Sequence, residues 1–299
     1  MKNKKNKPLT LYCTILAAVV VFFLTACVGG DSKKGDIHYP TFTSIKKAEQ
    51  YLASHGNTVP DPGIVTGPGR ARLQMKIDLG DLSKPDNNYL RLLEAVESAG
   101  KYVYLDLSRC KMGGTKTFTS VPFDEAPPGA DYIIELKLPK ITESIKADVN
   151  GQSPFFYYKN LYSFNSYDDS THTFWGPAEI GDSAFSYCKN LEFAPTWQAK
   201  FVGNNAFRGC EKLEAPRFLE VESIGDNAFF DCSSLNNIIF GSQPPVLGEG
   251  VFLGSTSGNL RIRFYTEEDI EIYRAWLDEN LSKFNNNGED VEIYALLLL

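Results

Sequence analysis

The residues that could carry out chemistry in this chain are few and widely separated. Among 299 residues there are three histidines, and none has a partner at the spacing of a metal site or of a nucleophile and its base. Acidic pairs are expected by chance among 37 acids, and the pairs present fit a solvated loop and a helix end. We therefore expect a protein that is not an enzyme and that holds no metal and no cofactor. The residues considered are His38, His55 and His172, with the pairs Asp168 and Asp169, and Glu267 and Glu268.

The six cysteines are the other reactive groups. Cys188, Cys210 and Cys232 recur every 22 residues, which favours buried, reduced thiols that act as small apolar side chains. Disulfides and a metal site are the alternatives. Neighbouring coils would bring the Cα atoms into disulfide range, but parallel side chains make poor disulfide geometry. A zinc site would need a fourth ligand and closely spaced cysteine pairs. Cys110 stands alone, and we expect it to pack in an early coil.

These three cysteines belong to a frame that occurs three times without a slip. Each copy has Ile or Val followed by Gly, then Ala-Phe, Cys and Leu, and the period of 22 lies within the 20 to 29 residues of leucine-rich repeats. One copy exposes all its apolar residues on one side, so copies must stack to bury them. The predicted repeat core consists of Phe185, Cys188, Leu191, Phe207, Cys210, Leu213, Phe229, Cys232 and Leu235.

The frame resembles the BspA-like leucine-rich-repeat family of bacterial surface proteins, whose repeats carry an IGxxAFxxCxxL core. Residues 99–110 also look like the region before the repeats in lipoprotein members from spirochaetes. The resemblance implies an α/β leucine-rich-repeat solenoid with parallel strands. We expect about seven coils over residues 101–265, with the clean repeats at 180–245. Adhesion to host matrix or plasma proteins, or to other bacteria, is the function that the resemblance implies.

Strands and caps follow from shorter patterns. Parallel strands are predicted after each repeat leucine, at 191–193, 213–215 and 237–240, and the Gly-Asp or Gly-Asn pair is predicted to turn the coil. An N-terminal α/β cap is expected over 41–100, with helices at 45–54 and 87–99 and a strand at 73–79. A C-terminal cap over 266–299 would hold a helix that starts at the capping box Thr266 to Asp269, and a final strand at 291–296. We favour capping over membrane binding for that helix.

The first residues predict where the protein is located in the cell. A lysine-rich start, an apolar run at 11–24 and a lipobox that ends at Cys27 are typical of a lipoprotein signal peptide over 1–26. Cleavage would leave Cys27 acylated and followed by a tether at 27–40, although a membrane-spanning anchor is the alternative. The predicted location is the bacterial cell envelope, at the outer membrane or cell surface. The mature chain would have 26 basic and 37 acidic residues, a net charge of about −11, which argues against nucleic acid as a partner.

One segment departs from the 22-residue period and is our candidate binding loop. Phe155 precedes the matching Phe185 by 30 residues, so eight residues are inserted between them. The inserted segment mixes aromatic and polar side chains, which is typical of recognition surfaces. The alternative is that Phe174 and Trp175 only cover the core. The candidate residues are Tyr167, Asp168, His172, Phe174 and Trp175.

Together these features predict a lipid-anchored scaffold that binds proteins and is held to the membrane by its anchor. The alternative is a periplasm-facing scaffold or assembly lipoprotein without host contact. A small-molecule carrier would instead require a deep pocket with convergent polar groups. The sequence leaves the oligomeric state open.

Overall fold

Parallel strands stacked along the chain dominate the architecture. The computed structural model describes residues 40–55, 71–122, 124–164, 167–168, 173–241, 243–255, 260–264, 270–284 and 291–295. The predicted α/β leucine-rich-repeat solenoid is confirmed, because successive coils pair side by side in parallel sheets. The cleavage site, Cys27 and the tether lie outside the described residues, and those predictions stay untested. None of the described helices has both the length and the apolar composition that crossing a membrane would require.

The helices are α1 (Ile45–Leu52), α2 (Asn88–Ala99) and α3 (Ile270–Glu279), with short 3₁₀ turns at Ala130–Tyr132 and Leu281–Lys283. The strands are β1 (Thr41–Phe42), β2 (Ala71–Met75), β3 (Val103–Asp106), β4 (Thr117–Phe118), β5 (Ile133–Lys137), β6 (Ser144–Ile145), β7 (Ser163–Phe164), β8 (Tyr167–Asp168), β9 (Thr173–Phe174), β10 (Glu179–Ile180), β11 (Phe201–Val202), β12 (Ser223–Ile224), β13 (Asn237–Ile239), β14 (Val246–Leu247), β15 (Leu260–Phe264) and β16 (Val291–Ala295).

Two lines of parallel strands run along the solenoid. The first sheet has the order β1-β2-β3-β5-β7, and a third, β13-β15-β16, is built from the equivalent parts of later coils. The second sheet, β14-β12-β11-β10-β6-β4, consists of two-residue strands. In chain order, each coil therefore contributes a strand to the second sheet, then the turn that carries the repeat phenylalanine, and then a segment in line with the first and third sheets. A return segment leads from there to the next coil. This order decides which side chains share a face.

The second sheet corrects the sequence-based assignment of strands. Two-residue strands end at the Ile or Val before each repeat glycine, where no strand was predicted, and the predicted turn follows from the Asp or Asn after that glycine. Neighbouring coils approach closely at the glycine itself. A Cβ on Gly225 would lie 2.6 Å from Asn204 Oδ1 and 2.7 Å from Asn204 N, so a side chain at this position cannot fit. The closeness also permits a polar ladder. The Asn204 amide donates to Asp182 Oδ1 at 2.7 Å, and the Asp226 amide donates to Asn204 Oδ1 at 2.8 Å.

The segments after the repeat leucines form strands only in part. Residues 237–239 are a strand as predicted, Phe193 makes a single parallel bridge to Ser163, and 213–215 are not a strand. Pro195 and Pro216 follow closely in the two coils that fail. Proline has no N–H for a ladder and restricts the residue before it, so these coils leave the extended path early.

A column of phenylalanine rings fills the coil interior. Adjacent ring centroids are 4.9 to 5.7 Å apart, and the planes are within 20° of parallel. All of these rings are buried, at 2% exposure or less. The sequence frame placed Phe185, Phe207 and Phe229 in one register, whereas the structure extends the column in both directions. Its members are Phe118, Phe155, Phe185, Phe207, Phe229, Phe252 and Phe284.

The repeat cysteines are buried, free and side by side, and each also makes a hydrogen bond. Cys210 Sγ donates to the Phe185 carbonyl and Cys232 Sγ to the Phe207 carbonyl, each at 3.0 Å. Cys188 donates in the same way at a longer 3.6 Å to the coil before it. Burial raises the pKa of the Cys188 thiol to about 12, because the charged thiolate would lose its solvation. Burial also raises the pKa of the Cys110, Cys210 and Cys232 thiols, which favours the neutral, less reactive form at all four described cysteines.

The N-terminal segment extends the solenoid rather than covering it with a separate layer. Strand β2 pairs in parallel with β3, and β1 pairs with β2, so the first sheet continues to Thr41. The strand ends at Met75 rather than at residue 79. Helix α2 begins at the cap Asn87, whose side chain accepts from the Leu90 amide, and ends at Gly100 with a left-handed φ of 58°. Cys110 is buried beside this sheet and donates to Met75 O at 3.4 Å.

Helix α3 lies against the far end of the solenoid. Trp276 Nε1 donates to Pro245 O at 2.7 Å, and the Tyr273 hydroxyl donates to Gly241 O at 3.1 Å. The Tyr273 ring stacks on Phe264 at 4.7 Å. These buried contacts support a packing role for the helix. The capping box at 266–269 lies outside the described residues.

Candidate protein-binding surface

The inserted segment forms a small β-hairpin on the return side of its coil. Strands β8 and β9 pair antiparallel, with Tyr167 opposite Phe174 and Asp168 opposite Thr173. The structure describes only the backbone of Tyr167 and Asp168, and His172 lies outside the described residues. The described part of the insertion is therefore a local antiparallel strand pair.

An aromatic stack fixes the hairpin to the next coil. The Phe174 and Trp197 rings are parallel, with centroids 4.3 Å apart and an interplanar angle of 10°. Gln198 holds the same junction through two hydrogen bonds. Its Nε2 donates to Phe174 O at 3.1 Å, and its Oε1 accepts from the Gly176 amide at 3.1 Å. These contacts orient the base of the hairpin on the return segment.

The two aromatic candidates of the hairpin differ in environment. Trp175 is half-buried and packs against the hydrophobic core, as the packing alternative predicted for it. Its indole Nε1 is buried without a hydrogen-bond partner among the residues that the structure describes. Phe174 is half-buried on Trp197, at the rim of the coil rather than in the core cluster. Trp175 therefore covers the core, and the adjacent Phe174 stacks on Trp197 at the rim of the coil.

Residues outside the insertion enlarge this face. The Arg217 guanidinium lies over the Trp197 ring, with Cζ 5.5 Å from the ring centroid, and the Arg217 amide donates to Thr196 Oγ1 at 3.1 Å. Phe193 is 58% exposed and accepts from the Phe164 amide at the start of the hairpin. We call Phe174, Phe193, Trp197 and Arg217 the aromatic platform. Sequence reasoning missed the last three, because they lie in other coils and outside the repeated frame.

The aromatic platform has the chemistry of a binding surface. The platform has one exposed ring, Phe193, and the half-buried rings Phe174 and Trp197. Aromatic rings and arginine are the residue types enriched at the energetic centres of protein interfaces. The guanidinium is charged at all physiological pH values and offers several donors to a partner's carboxylates or carbonyls. An arginine over an aromatic ring at the protein surface contributes about 0.5 to 1 kcal/mol, and the contact also orients the guanidinium.

The histidine, cysteine and acidic side chains that the structure describes form no metal-binding cluster. His55 stacks on Tyr51 at 4.1 Å, and its Nδ1 lies 2.9 Å from both Ser54 Oγ and Tyr51 O. His55 therefore packs and hydrogen-bonds at the C-terminal end of α1. The nine predicted repeat-core residues are all buried, at 6% exposure or less.

The comparison with protein families agrees with the repeat architecture. Residues 151–273 match the family described as BspA type leucine rich repeat region, in six copies. A crystal structure of a leucine-rich repeat protein from Bacteroides ovatus ATCC 8483 is similar at 22% identity with a TM-score of 0.34. The alignment covers 66% of this chain and 46% of the Bacteroides protein. The comparison with curated proteins finds no match.

Proposed function

Because residues 151–273 match the BspA type leucine rich repeat family, we propose that the solenoid of this chain presents the aromatic platform to a protein partner. Repeat solenoids of this kind are generally scaffolds without catalysis, and their stacked coils offer extended faces to proteins. The observations that carry the proposal are the exposure of Phe193 and the stacked order of Phe174, Trp197 and Arg217. Ordered aromatic side chains lose little entropy when a partner binds, which favours affinity.

We further propose that Cys27 anchors the protein in the bacterial envelope through attached lipids. The basic start, apolar run and lipobox occur in their functional order, and the solenoid begins after a polar tether. Such an anchor would hold the platform close to the membrane surface. Adhesion to host matrix or plasma proteins, or to other bacteria, is the activity that this arrangement would serve.

The anchor is tested by replacing Cys27 with Ser in the full chain. We expect the wild-type protein to enter the detergent phase and the variant to enter the aqueous phase, since acyl chains supply the partitioning free energy. A wild-type protein that retains Met1, or equal partitioning of both forms, would contradict lipidation. Protease shaving of intact cells then separates the two topologies. Loss of the wild-type protein supports surface display, and protection supports the periplasm-facing alternative.

Binding is tested with the mature chain and three variants. Trp197→Ala removes the centre of the platform, Arg217→Gln removes its charge, and Val246→Ala is a matched control on the second sheet, where Val246 is 73% exposed. Host matrix proteins, plasma proteins and whole bacterial cells are the test partners. We expect Trp197→Ala to weaken binding by at least about tenfold, as for an aromatic at an interface centre. Equal binding by all three variants would exclude the platform.

A further inference from the structure

Three residues in register continue the aromatic platform across the later coils. Arg217 forms a single parallel bridge with Ile239, and Ile239 pairs in parallel with Arg263 of β15. Paired residues of parallel strands carry their side chains on the same face of a sheet. Arg263 is half-buried between Ile262 and Phe264, which are buried in the core, so this face is the outward one. We call Arg217, Ile239 and Arg263 the arginine row.

The middle residue of the row confirms which way the face points. Ile239 is buried, at 6% exposure, but it does not belong to the core cluster that contains its neighbours Ile238 and Phe240. Its cover therefore comes from the outward side, where arginines with long aliphatic stems flank it in register. Neighbouring strands lie about 4.8 Å apart, so the Cα atoms of the two arginines are separated by roughly 10 Å. The row thus consists of two cations with an apolar residue between them.

Both guanidinium groups of the row lack an acidic partner. Arg217 contacts the Trp197 ring, but neither Arg217 nor Arg263 forms an ion pair or a side-chain hydrogen bond with the residues that the structure describes. Arg261 on the same strand differs, because its Nε lies 3.5 Å from Glu292 Oε2. The acid nearest after Arg217 in the chain is Glu220, which pairs with Lys200 at 3.8 Å instead. The charges of the row are therefore available to a partner.

A carboxylate is the group on a protein that best matches an unpaired guanidinium. The planar fork of arginine donates two parallel hydrogen bonds to the two oxygens of a carboxylate. Densely charged polyanions, such as sulfated glycans, fit less well. The net charge of −7 on the whole chain repels them, and they would place charge over Ile239 and the platform rings as well. A protein segment with apolar side chains between its acids matches the row and the rings together.

We propose that the arginine row and the aromatic platform together bind a segment of a protein partner that carries both acidic and apolar side chains. Carboxylates of the segment pair with Arg217 and Arg263, and its apolar side chains lie on Phe193 and Trp197. This inference rests on the proposed function of the aromatic platform, and it adds the chemical class of the partner. The two arginines set the requirement for acids, whereas the rings supply apolar contact without regard to charge.

A peptide of three Glu-Leu-Pro repeats is the probe, and three Gln-Leu-Pro repeats are its uncharged control. Proline keeps both peptides extended. Calorimetry on the mature chain at roughly 50 mM salt measures binding, since exposed charges are only partly screened there. We expect the glutamate peptide to bind at least about tenfold more tightly than the glutamine peptide. Arg217→Gln and Arg263→Gln should each weaken its binding by about threefold or more, and the double variant by about tenfold or more.

Arg274→Gln is the matched control for the loss of one positive charge. Arg274 lies on α3 and pairs with Glu271 of the same helix at 3.3 Å, so its replacement changes the net charge equally but leaves the row intact. The affinity of this variant for the glutamate peptide should stay within about twofold of the wild type, because distant surface charges are screened. A melting temperature near that of the wild type checks that each variant is folded.

Several outcomes would overturn the proposal. They are the failure of both peptides to bind at millimolar concentration, equal binding of the two peptides, unchanged affinity in the double variant, and tighter binding of a heparin hexasaccharide than of the glutamate peptide. The last result would assign the row to sulfated glycans. Trp197→Ala separates this proposal from the platform itself, because it removes a ring and no charge. If Trp197→Ala weakens the capture of protein partners and the double arginine variant does not, the platform stands and the acidic partner is wrong. If neither variant weakens capture, both proposals are wrong.

Discussion

Replacing Phe207 with alanine tests the ring column at its centre. Phe207 is fully buried and lies 5.1 Å from Phe185 and 5.2 Å from Phe229, at angles of 5° and 7°. Truncation of a buried phenylalanine costs about 3 to 5 kcal/mol. We expect the upper part of that range, because two stacked pairs are lost and a coil packed on both sides has little room to collapse.

Thermal unfolding of the mature chain measures this loss. For a chain of this size each kcal/mol lowers the melting temperature by roughly 2 to 4 °C, so a loss of about 4 to 5 kcal/mol should lower it by roughly 8 to 20 °C. Phe207→Leu should lose much less, since it keeps most of the apolar volume. Phe201→Ala is the control, because Phe201 lies in the same coil but is 46% exposed. Equal melting temperatures for Phe207→Ala and Phe201→Ala would refute the reasoning.

Three further predictions follow from the contacts between coils. Gly225→Ala should destabilise the fold by about 1 to 3 kcal/mol, because the new methyl group meets the Asn204 backbone; a melting temperature equal to wild type would show that the coils can separate there. The thiols of Cys188, Cys210 and Cys232 should react with a disulfide reagent only after unfolding, since all are buried; rapid native labelling would contradict the ladder. The pKa of the Cys188 thiol is about 9 in the unfolded chain and about 12 in the folded chain. Between these two pH values the folded chain therefore keeps a proton on Cys188 that the unfolded chain has lost. Its contribution to stability is complete below pH 9 and decreases as the pH rises toward 12, and Cys188→Ala should show a shallower alkaline decrease in urea unfolding.

The repeated core could be predicted from the sequence because each of its positions must hold a side chain of one size and polarity to fill the coil interior. Phe185, Cys188 and Leu191 must all point inward, so their period was visible without a structure. The ends of the phenylalanine column could not be predicted, since Phe118 and Phe284 are not flanked by the glycine, alanine and cysteine of the repeat. The second sheet was missed for a different reason. Strands of two residues, such as Glu179–Ile180, are too short to show an alternating pattern.

The candidate site was predictable only in part. An insertion rich in aromatic residues pointed to the hairpin, but its contacts with Trp197 and Arg217 depend on which coils lie side by side. Trp197 lies in a return segment with no repeated frame, and Arg217 follows Pro216 one coil later. The alignment of Arg217 with Arg263 was equally invisible, because it depends on the register of three coils. In both cases a short-range pattern cannot report a contact made across 20 or more residues of chain.

Site-specific photocrosslinking in cells that express the full-length protein tests the central claim most directly. A photoreactive phenylalanine analogue replaces Phe193 on the aromatic platform in one strain and Phe201 on the second sheet in another. Both side chains are exposed, at 58% and 46%, so they are matched in access. We predict discrete protein adducts from position 193 and only background from position 201. Adducts of equal yield from both positions, or from neither, would contradict a protein-binding platform on this face.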